Sequence, residues 1–589
     1  MNAETKQCQN CQQDFDIFPE DKKFYEKISV PAPTFCWLCR AQRRFAFRNE
    51  RNLYKYKSDF SGKEIFSMYA HDAGVKVYEK DVWLSDSWEP MEYGRDVDFS
   101  KPFLEQIREL WYAVPLKNLN VVQGVRSDYC NHFTNPKNCY LVFNGNECED
   151  CMYGNGLTYS KDSVDVSHLG KCERCYEGFW LTSCASTIFS SHCENSFNLA
   201  FCKNCRGCND CFGSVGLRNK SYYISNKPYS KEEYMKTLKS FNLGSYQNLE
   251  KIKEKTREFW LKFPNKYIEG SHNQKVSGNY INHSKNVLNS FLVREGENLR
   301  YCQYVQELPA SRDCYDYSIW GDSNELVYEC CACGIGTNNI KFCLFVQENV
   351  NDIEYSIACS SSRNLFGSVG LRKKEYCILN KQYSKESYKT FAAKKKHMEE
   401  MPYVDKKGRV YRYGEFFPVE FSPWRYNETI AFDYFPLTKD KALQKGYRWK
   451  DREMRERTII IMHDKLPDHI NDVADSITDE IVGCVHEGKC NENCTSAFRI
   501  IPQELAFYKK MSLPLPHLCP TCRFSQRLRQ RTPLAIQTRL CQCAGEKSDN
   551  SAYKNTSSHF HKNEHCPNEF ETSYAPDRPK TIYLSLIHI

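Results

Sequence analysis

The chain has 589 residues, with 81 lysine and arginine residues against 74 aspartate and glutamate residues, so its formal net charge is only +7. A charge this small for the length excludes a uniformly basic surface, and any contact with nucleic acid must be made by a local patch. A hydrophobic content of 41% with 14% aromatic residues excludes a largely disordered chain. No run approaches the roughly 18–20 apolar residues of a membrane span, so the sequence predicts no membrane partner.

The 32 cysteines are the most unusual feature of the composition. The first ten residues, MNAETKQCQN, lack the basic and apolar regions of a signal peptide, so we expect a cytoplasmic protein. Because cytoplasmic thiols stay reduced, metal binding and burial explain these cysteines better than disulfide bonds do. The length alone predicts several domains.

Residues 1–50 form the first predicted domain, called here the N-terminal module. Cys8 and Cys11 make one C-x₂-C pair, and Cys36 and Cys39 make a second pair after an aromatic spacer. Two such pairs can place four thiolates around one tetrahedral Zn²⁺, with Zn–S bonds of about 2.3 Å. The sequence therefore predicts a zinc site with these four ligands, and buried free cysteines are the alternative.

A cysteine-rich tract at 126–230 follows an α+β connector at 51–125, in which we predict a short helix over Pro102–Tyr112. Short aromatic or β-branched runs alternate here with Asn, Asp, Gly and Ser, which is typical of a repeating all-β architecture. Leu157 and Val166 complete a nine-residue grid of cysteines, whose side chains would stack in the core of a β-solenoid. The grid cysteines are Cys130, Cys139, Cys148, Cys175, Cys184, Cys193, Cys202 and Cys211.

The end of this tract is duplicated. Phe212–Tyr234 and Phe366–Tyr388 are identical at 17 of 23 positions and lie 154 residues apart. Each copy leads into a predicted helix, the first with the capping-box spacing of Ser230 and Glu233. We therefore predict a helical region at 231–270, a second cysteine-rich β-repeat at 271–383, and a helix with a linker at 384–483.

Residues 484–535 repeat the N-terminal module and are called here the C-terminal module. Cys490, Cys494, Cys519 and Cys522 are its predicted zinc ligands, and from Cys494 onward each matching position lies 483 residues after its N-terminal partner. Cys490 is the weakest of the four, since Cys484 and His486 lie close enough in sequence to replace it. This module is therefore the second predicted zinc site.

Three further groups of cysteines have metal-ligand spacing but weaker support. The run from Cys202 to Cys211 resembles a ferredoxin motif with the wrong last spacing, so an Fe–S cluster, a zinc site and a buried core remain open. The second group begins at Cys148, and zinc and a solenoid core explain it equally well. The third group, three cysteines that begin at Cys541, lies in the predicted segment 536–589. It forms an incomplete site that His559, His561 or His565 could complete. The three groups are Cys202, Cys205, Cys208 and Cys211; Cys148, Cys151, Cys172 and Cys175; and Cys541, Cys543 and Cys566.

Arginines follow each zinc module and alternate with aromatic residues such as Phe45, Phe47 and Tyr54. Arginine suits phosphate contact and aromatic rings suit base stacking, so these segments predict binding of RNA or single-stranded DNA. The alternative is a solvated helix face on which the arginines cap carboxylates of the module. The predicted nucleic-acid contacts are Arg40, Arg43, Arg44, Arg48, Arg51, Arg523, Arg527 and Arg529.

The two modules resemble the small bacterial "probable zinc-ribbon" domains of treble-clef type over about 45 residues each. The whole chain resembles an uncharacterised family of cysteine-rich zinc-ribbon proteins from candidate-phyla bacteria, through segments such as FGSVGL, LPLPHLCPTCR and CPNEFETSYAPDRP. The resemblance implies closed, structural zinc sites and no particular activity. It also implies a further C-x₂-C where this chain reads LSLIHI, so we expect residues 584–589 to be an assembly artefact.

No nucleophile, phosphate-binding or metalloprotease motif occurs in the context that its chemistry needs, so we predict that the protein is not an enzyme. The predicted fold is a multidomain, β-rich α+β chain in which two zinc-ribbon modules flank a duplicated cysteine-rich β-repeat with helical caps. The predicted function is that of a zinc-binding, non-catalytic protein that binds RNA or single-stranded DNA through the arginine and aromatic segments after its zinc modules. The alternative is a structural or protein-interaction scaffold whose zinc sites are purely structural.

Overall fold

The chain is rich in β-structure, and its largest sheets are two parallel ladders. The computed structural model describes residues 3–306, 308–390, 392–451, 459–556 and 560–585. Helices and short two-stranded sheets surround the ladders. None of the helices in these described ranges is long and apolar enough to cross a membrane.

The first ladder covers residues 121–228 and advances one strand every twelve residues. Asn155 pairs with Ser167, Ser167 with Phe179, and Phe179 with Ser191, all in parallel register. A short antiparallel strand ends the ladder. Its strands are Val121–Val122, Asn131–Lys137, Phe143–Glu149, Asn155–Thr158, Ser167–Gly170, Phe179–Thr182, Ser191–Glu194, Phe197–Ala200, Asn209–Phe212, Ser221–Ile224 and Lys227–Pro228.

A three-residue unit explains the cysteine pattern of the first ladder. Every third residue from His132 to Ser225 has a positive φ, and the residue after it points into the core. Asn, Asp and Gly, which tolerate this left-handed conformation best, are frequent at these positions. Four units make one twelve-residue step, so nine residues are three units and not one step. The nine-residue grid therefore marks core positions correctly but is not the length of the structural repeat.

The second ladder covers residues 270–382 and has an uneven step. Glu297 pairs with Arg312 and Arg312 with Glu325, steps of fifteen and thirteen residues, whereas Arg363 pairs with Glu375 after twelve. These extra residues shift the phase of the core positions, which explains why the nine-residue grid is lost here. The strands are Gly270–Ser271, Gln274–Asn282, Lys285–Arg294, Glu297–Arg300, Gln303–Val305, Arg312–Trp320, Glu325–Cys333, Asn338–Lys341, Asn351–Glu354, Arg363–Phe366, Glu375–Ile378 and Lys381–Gln382.

The duplicated segment has the same local structure at the end of both ladders. Asn226 accepts a hydrogen bond from the Val215 amide at 2.7 Å, and Asn380 accepts the equivalent bond from Val369 at 2.7 Å. The predicted capping box at Ser230 is present, with Ser230 and Glu233 bonded reciprocally. Each copy thus ends its ladder with a hairpin and a capped helix.

The remaining elements connect and cover the ladders. The predicted helix over 102–112 is present as Phe103–Ala113. The other α-helices are Pro19–Lys27, Trp37–Phe45, Lys80–Leu84, Lys231–Ser240, Tyr246–Leu261, Lys385–Lys389, Ala392–Glu400, Ile430–Tyr434, Lys439–Gln444, Pro502–Met511 and Pro520–Leu528. The two-stranded sheets pair Glu4–Gln7 with Asp14–Ile17, Tyr54–Lys57 with Glu64–Ser67, Val77–Tyr78 with Leu116–Lys117, Asn265–Lys266 with Ile582–Tyr583, Tyr403–Val404 with Val410–Tyr411, Val482–Gly483 with Ala497–Phe498, and Gln537–Leu540 with Glu569–Thr572.

Each terminal module packs on a different ladder through equivalent aromatic residues. Phe24 of the N-terminal module stacks on Tyr315 of the second ladder, with ring centroids 3.8 Å apart. Phe507 and Tyr508 of the C-terminal module pack on Tyr176 of the first ladder. They lie 483 residues after Phe24 and Tyr25 and correspond to them. The two modules therefore use one packing mode on two ladders.

Candidate metal centres and their arginine networks

The four cysteines predicted in the N-terminal module converge on one point. The hairpin between Glu4–Gln7 and Asp14–Ile17 contributes two of them, and the start of the helix Trp37–Phe45 contributes the other two. All four sulfurs lie within 4.8 Å of one another, and the group consists of Cys8, Cys11, Cys36 and Cys39. The structure therefore brings the four predicted ligands together in one group that could hold a metal ion.

The electrostatics of this cluster favour a thiolate. The Cys36 amide donates a hydrogen bond to Cys8 Sγ at 3.2 Å, and hydrogen bonds from the Cys36 and Cys39 thiols lower the pKa of Cys8. Cys36 is also the N-cap of its helix, where the helix dipole stabilises negative charge. A metal ion would replace the thiol protons as the positive partner of the sulfurs.

The C-terminal module forms an equivalent cluster, but with a different first ligand. Cys484, Cys494, Cys519 and Cys522 lie within 4.8 Å of one another, and Cys490 is not a member of this group. The Cys519 amide bonds to Cys484 Sγ at 3.3 Å, as the Cys36 amide bonds to Cys8. Cys484 directly follows strand Val482–Gly483, just as Cys8 follows its own strand. The choice of Cys490 is therefore corrected in favour of Cys484, the alternative that the spacing left open.

Sulfur–sulfur distances in both clusters fit a tetrahedral metal. Two thiolates bonded to one Zn²⁺ at about 2.3 Å lie about 3.8 Å apart. Cys11 and Cys36 are 3.7 Å apart, and Cys494 and Cys519 are 3.9 Å apart. Four sulfurs complete the coordination shell, so these sites leave no open position for substrate or water. The donor set is one that zinc occupies in structural sites.

The arginines of the N-terminal module are buried in ion pairs with the second ladder. Arg44 is 0% exposed and lies 3.1 Å from Asp316 and 3.3 Å from Glu329. Arg40 pairs with Asp316 at 2.8 Å, and Arg43 pairs with Glu329 at 3.1 Å. Burial raises the pKa of Asp316 even though Arg40 and Arg44 lie beside it. The helix that carries two metal-ligating positions thus also carries the charges that dock the module.

The C-terminal module repeats this arrangement on the first ladder. Arg523 and Arg527, the counterparts of Arg40 and Arg44, lie 3.2 and 2.8 Å from Asp165. Glu504, which is 0% exposed, pairs with Arg523 at 3.0 Å and accepts a hydrogen bond from Tyr153 at 2.7 Å. Burial also raises the pKa of Asp165.

These positions correct the interpretation of the arginines as nucleic-acid contacts. Arg48 is also buried and pairs with Glu50 at 2.8 Å, while Arg51 is only partly exposed and pairs with Asp433. Arg529 is exposed but contacts the buried Glu492. Phe45 and Phe47 are fully buried, so they cannot stack on bases in this structure. The alternative, arginines that cap carboxylates on a solvated helix face, is correct about the pairing but not about the solvation, because most of these arginines are buried and most of the carboxylates lie outside the modules.

The cysteines of the two ladders are core thiols in this structure. All twelve between Cys130 and Cys211 are buried, and many donate to backbone carbonyls, as Cys193 does to Ser191 at 3.4 Å. Neither Cys148 with its predicted partners nor Cys202 with its partners forms a converging ligand group among the described residues. Burial raises the pKa of Cys130 to about 12, which favours the protonated form.

The third predicted site is not assembled. Cys541, Cys543 and Cys566 share one apolar cluster, but their sulfurs are not among the converging ligand groups of the described residues. His559 and residues 586–589 of the predicted artefactual tail lie outside the described residues.

A groove separates residues 51–55 from the C-terminal module. Basic and aromatic side chains line it, and its floor includes the loop of the second metal centre. The basic and aromatic lining residues are Arg51, Tyr54, Lys55, Phe66, His71, Phe143, Tyr153, Lys439, Trp449, Lys450 and Phe524, and the acidic lining residues are Glu428, Asp451 and Glu487.

Comparisons with known proteins leave the family open. No known protein family matches the chain, and no curated protein matches it by sequence. Among solved structures, it is similar to a protein described as an acetyltransferase from Desulfovibrio desulfuricans G20, with 8% identity over 50% of this chain and 77% of that protein. The TM-score is 0.11, so this similarity carries no argument.

Proposed function

We propose that the protein is a zinc-binding, non-catalytic scaffold. In this proposal each terminal module is a treble-clef-like zinc ribbon, and each ladder is a short β-solenoid with cysteines in its core. The zinc ions hold the modules in the shape that docks them onto the two ladders, so that one rigid body presents a long, partly charged surface to protein partners.

The observation that carries the proposal is the equivalence of the two docking networks. Arg44 meets Asp316 on the second ladder, and its counterpart Arg527 meets Asp165 on the first. In both modules these arginines lie on the helix whose first turn holds two of the clustered cysteines. A metal at the start of the helix would therefore fix the direction in which the buried arginines point. Closed tetrathiolate sites suit this structural role and not catalysis.

Zinc removal with limited proteolysis tests the scaffold. Purified protein should contain zinc, and a chelator should expose cleavage sites within residues 3–50 and 482–531 before the ladders are cut. Zinc-free protein with an unchanged cleavage pattern would contradict the proposal. Readdition of Zn²⁺ controls for irreversible damage, since it should restore protection.

A second candidate function, binding of single-stranded nucleic acid, is favoured by the groove beside the second metal centre. Lys55 and Lys439 are exposed along it, and Tyr54 and Trp449 offer partly exposed rings. Phosphate contacts would make binding salt-dependent, with a slope near −0.7 per contact on single strands, and rings would stack on bases.

Fluorescence anisotropy with a labelled single-stranded RNA or DNA separates the two functions. Lys55→Glu with Lys439→Glu should weaken binding and reduce the salt slope if the groove binds nucleic acid. Lys231→Glu with Lys236→Glu is the matched control, because it makes the same charge change on an exposed helix outside the groove. If the unmodified protein shows no salt-dependent binding, the scaffold is the only one of the two proposed functions that stands.

A further inference from the structure

The C-terminal module contains a second cluster of metal-ligating side chains that its N-terminal counterpart lacks. The hairpin loop between strands Val482–Gly483 and Ala497–Phe498 has thirteen residues, whereas the loop between Glu4–Gln7 and Asp14–Ile17 has six. The longer loop contains His486, Cys490 and Glu492. The extra residues therefore bring three new potential ligands beside an existing tetrathiolate group.

These side chains converge on Cys522, which already belongs to that group. His486, Cys490, Glu492 and Cys522 place one ligand atom each within 4.8 Å of one another. The distance from Cys490 Sγ to Cys522 Sγ is 3.8 Å, and His486 Nδ1 lies 3.2 Å from Cys522 Sγ. A sulfur–sulfur distance of about 3.8 Å is what one tetrahedral zinc imposes on two thiolates.

An unpaired buried carboxylate oxygen gives independent support. Glu492 is 7% exposed, and its Oε2 has no hydrogen-bond partner among the described residues. This oxygen lies 3.6 Å from His486 Nδ1, and the Arg529 guanidinium contacts the other oxygen of the same carboxylate. A buried oxygen without a partner costs free energy unless a cation or donor satisfies it.

The matching cysteine of the N-terminal module has a different neighbour. Cys39, the counterpart of Cys522, accepts a hydrogen bond from the side-chain amide of Asn10, whose Nδ2 lies 3.2 Å from Cys39 Sγ. Cys39 thus contacts a neutral donor, whereas histidine, cysteine and glutamate side chains converge on Cys522. From this difference we expect more metal ions in the C-terminal module than in the N-terminal module.

We propose that the C-terminal module binds two metal ions that share the Cys522 thiolate as a bridge. One ion is held by Cys484, Cys494, Cys519 and Cys522, and the second by His486, Cys490, Glu492 and Cys522. Sulfur, imidazole and carboxylate donors in a tetrahedral set select zinc among the common divalent cations. Both shells are closed, so the second ion is structural, and the inference rests on the zinc-binding part of the proposed function.

Native mass spectrometry of the full chain loaded with Zn²⁺ tests the count. His486→Asn with Cys490→Ser should remove one zinc ion per chain and leave the ions of the two tetrathiolate sites. Asn10→Ser is the matched control in the N-terminal module and should leave the count unchanged. An equal zinc content in the double variant and the unmodified protein would overturn the proposal.

¹¹³Cd nuclear magnetic resonance of the unmodified protein gives a readout that needs no variant to fold. A thiolate bridge couples the two metal nuclei, so ¹¹³Cd²⁺ should give one pair of mutually coupled resonances in addition to the resonance of the N-terminal site. Uncoupled resonances alone would overturn the bridge while zinc binding by the tetrathiolate sites stands. Absence of bound cadmium would overturn both the inference and the proposed function.

Discussion

Arg527 of the C-terminal module donates a hydrogen bond of 2.8 Å to Asp165 of the first ladder, and both side chains are buried. The two residues are 362 positions apart in the chain. Arg527 also bonds to the Tyr153 carbonyl at 3.0 Å, so its guanidinium is held by two successive parts of the ladder. This contact joins the helix that follows Cys519 to the repeat architecture, and Asp165 also pairs with Arg523, so one buried carboxylate of the ladder holds two arginines of the module.

Arg527→Met should strongly weaken the docking of the C-terminal module. In this variant Asp165 keeps Arg523 at 3.2 Å as its remaining partner, so the loss should lie below the about 3–5 kcal/mol that is typical when one partner of an isolated buried pair is removed. Asp165→Leu should cost more, because it removes the carboxylate that Arg523 and Arg527 share. The double variant should cost less than the sum of the two single variants, because no Arg527 charge is then left without its carboxylate. Denaturant unfolding of the single and double variants measures this coupling.

The exposed pair Arg206–Glu194 on the same ladder is the control for this prediction. Its side chains are 51% and 46% exposed and lie 2.8 Å apart. Arg206→Met should change the free energy of unfolding by about 0–1 kcal/mol, because water screens an exposed pair. Equal effects of Arg206→Met and Arg527→Met would show that the buried network does not hold the module.

Local sequence patterns predicted the local structure well and the long-range contacts poorly. The C-x₂-C pairs located all of the N-terminal cysteine cluster and the helix half of the C-terminal one, because these spacings are set by one hairpin and one helix start. Cys484 was harder to choose, since the inserted loop separates it from Cys494 by nine residues instead of two. Cys484 and Cys8 both directly follow the first strand of their hairpins, but the strand before Cys8 is polar and the strand before Cys484 has only two residues, so no shared sequence pattern marks this position.

The role of the arginines could not be inferred from sequence because their partners are distant. Arg44 pairs with Asp316, 272 residues away, and nothing near Arg44 indicates that this carboxylate exists. An arginine beside aromatic residues looks the same whether it faces solvent or a buried aspartate. The core positions of the first ladder were visible, but the twelve-residue step was hidden because cysteine occupies only some of them.

Cys36→Ser and Cys519→Ser should each remove the metal of their own module only. Metal-binding free energy in small zinc modules is of order 10 kcal/mol and is also folding free energy, so the affected module should unfold locally. Zinc analysis with limited proteolysis should show loss of one or more ions, with new cleavage confined to that module. Because the whole module should unfold, Cys519→Ser should remove both ions of the proposed bridged pair.

Cys193→Ala in the first ladder is the control for the ligand variants. It removes a buried thiol that donates to the Ser191 carbonyl, and it should lower stability by about 0.5–3 kcal/mol without changing zinc content. A loss of zinc in Cys193→Ala would mean that the ladder cysteines are ligands and not core.

The ladder thiols should resist alkylation in the folded protein. Burial raises the pKa of Cys302 and of Cys331 to about 12, so at pH 8 only about one thiol in ten thousand would be the reactive thiolate. Iodoacetamide labelling followed by peptide mass spectrometry should modify these positions only after denaturation. Rapid labelling of Cys302 in folded, zinc-loaded protein would contradict the core assignment.

Acid should loosen the contact between the two ladders through His168. Its ring lies 5.7 Å from the ring of Tyr304 of the second ladder, and burial, followed by the charge of Arg531, lowers the pKa of His168 to about 3. The unfolded chain has a histidine pKa near 6.5, so the folded state favours the neutral ring. This stabilisation is complete above pH 6.5 and is lost as the pH falls toward 3. Because the side chain is only partly buried, about 2 kcal/mol is the upper limit of the loss at pH 5.

His168→Gln should therefore lose less stability than the unmodified protein between pH 8 and pH 5, with equal zinc content in both. The variant His283→Gln, at an exposed histidine, is the control and should behave like the unmodified protein. Identical pH dependence in all three proteins, measured by denaturant unfolding, would show that protonation of His168 does not oppose folding.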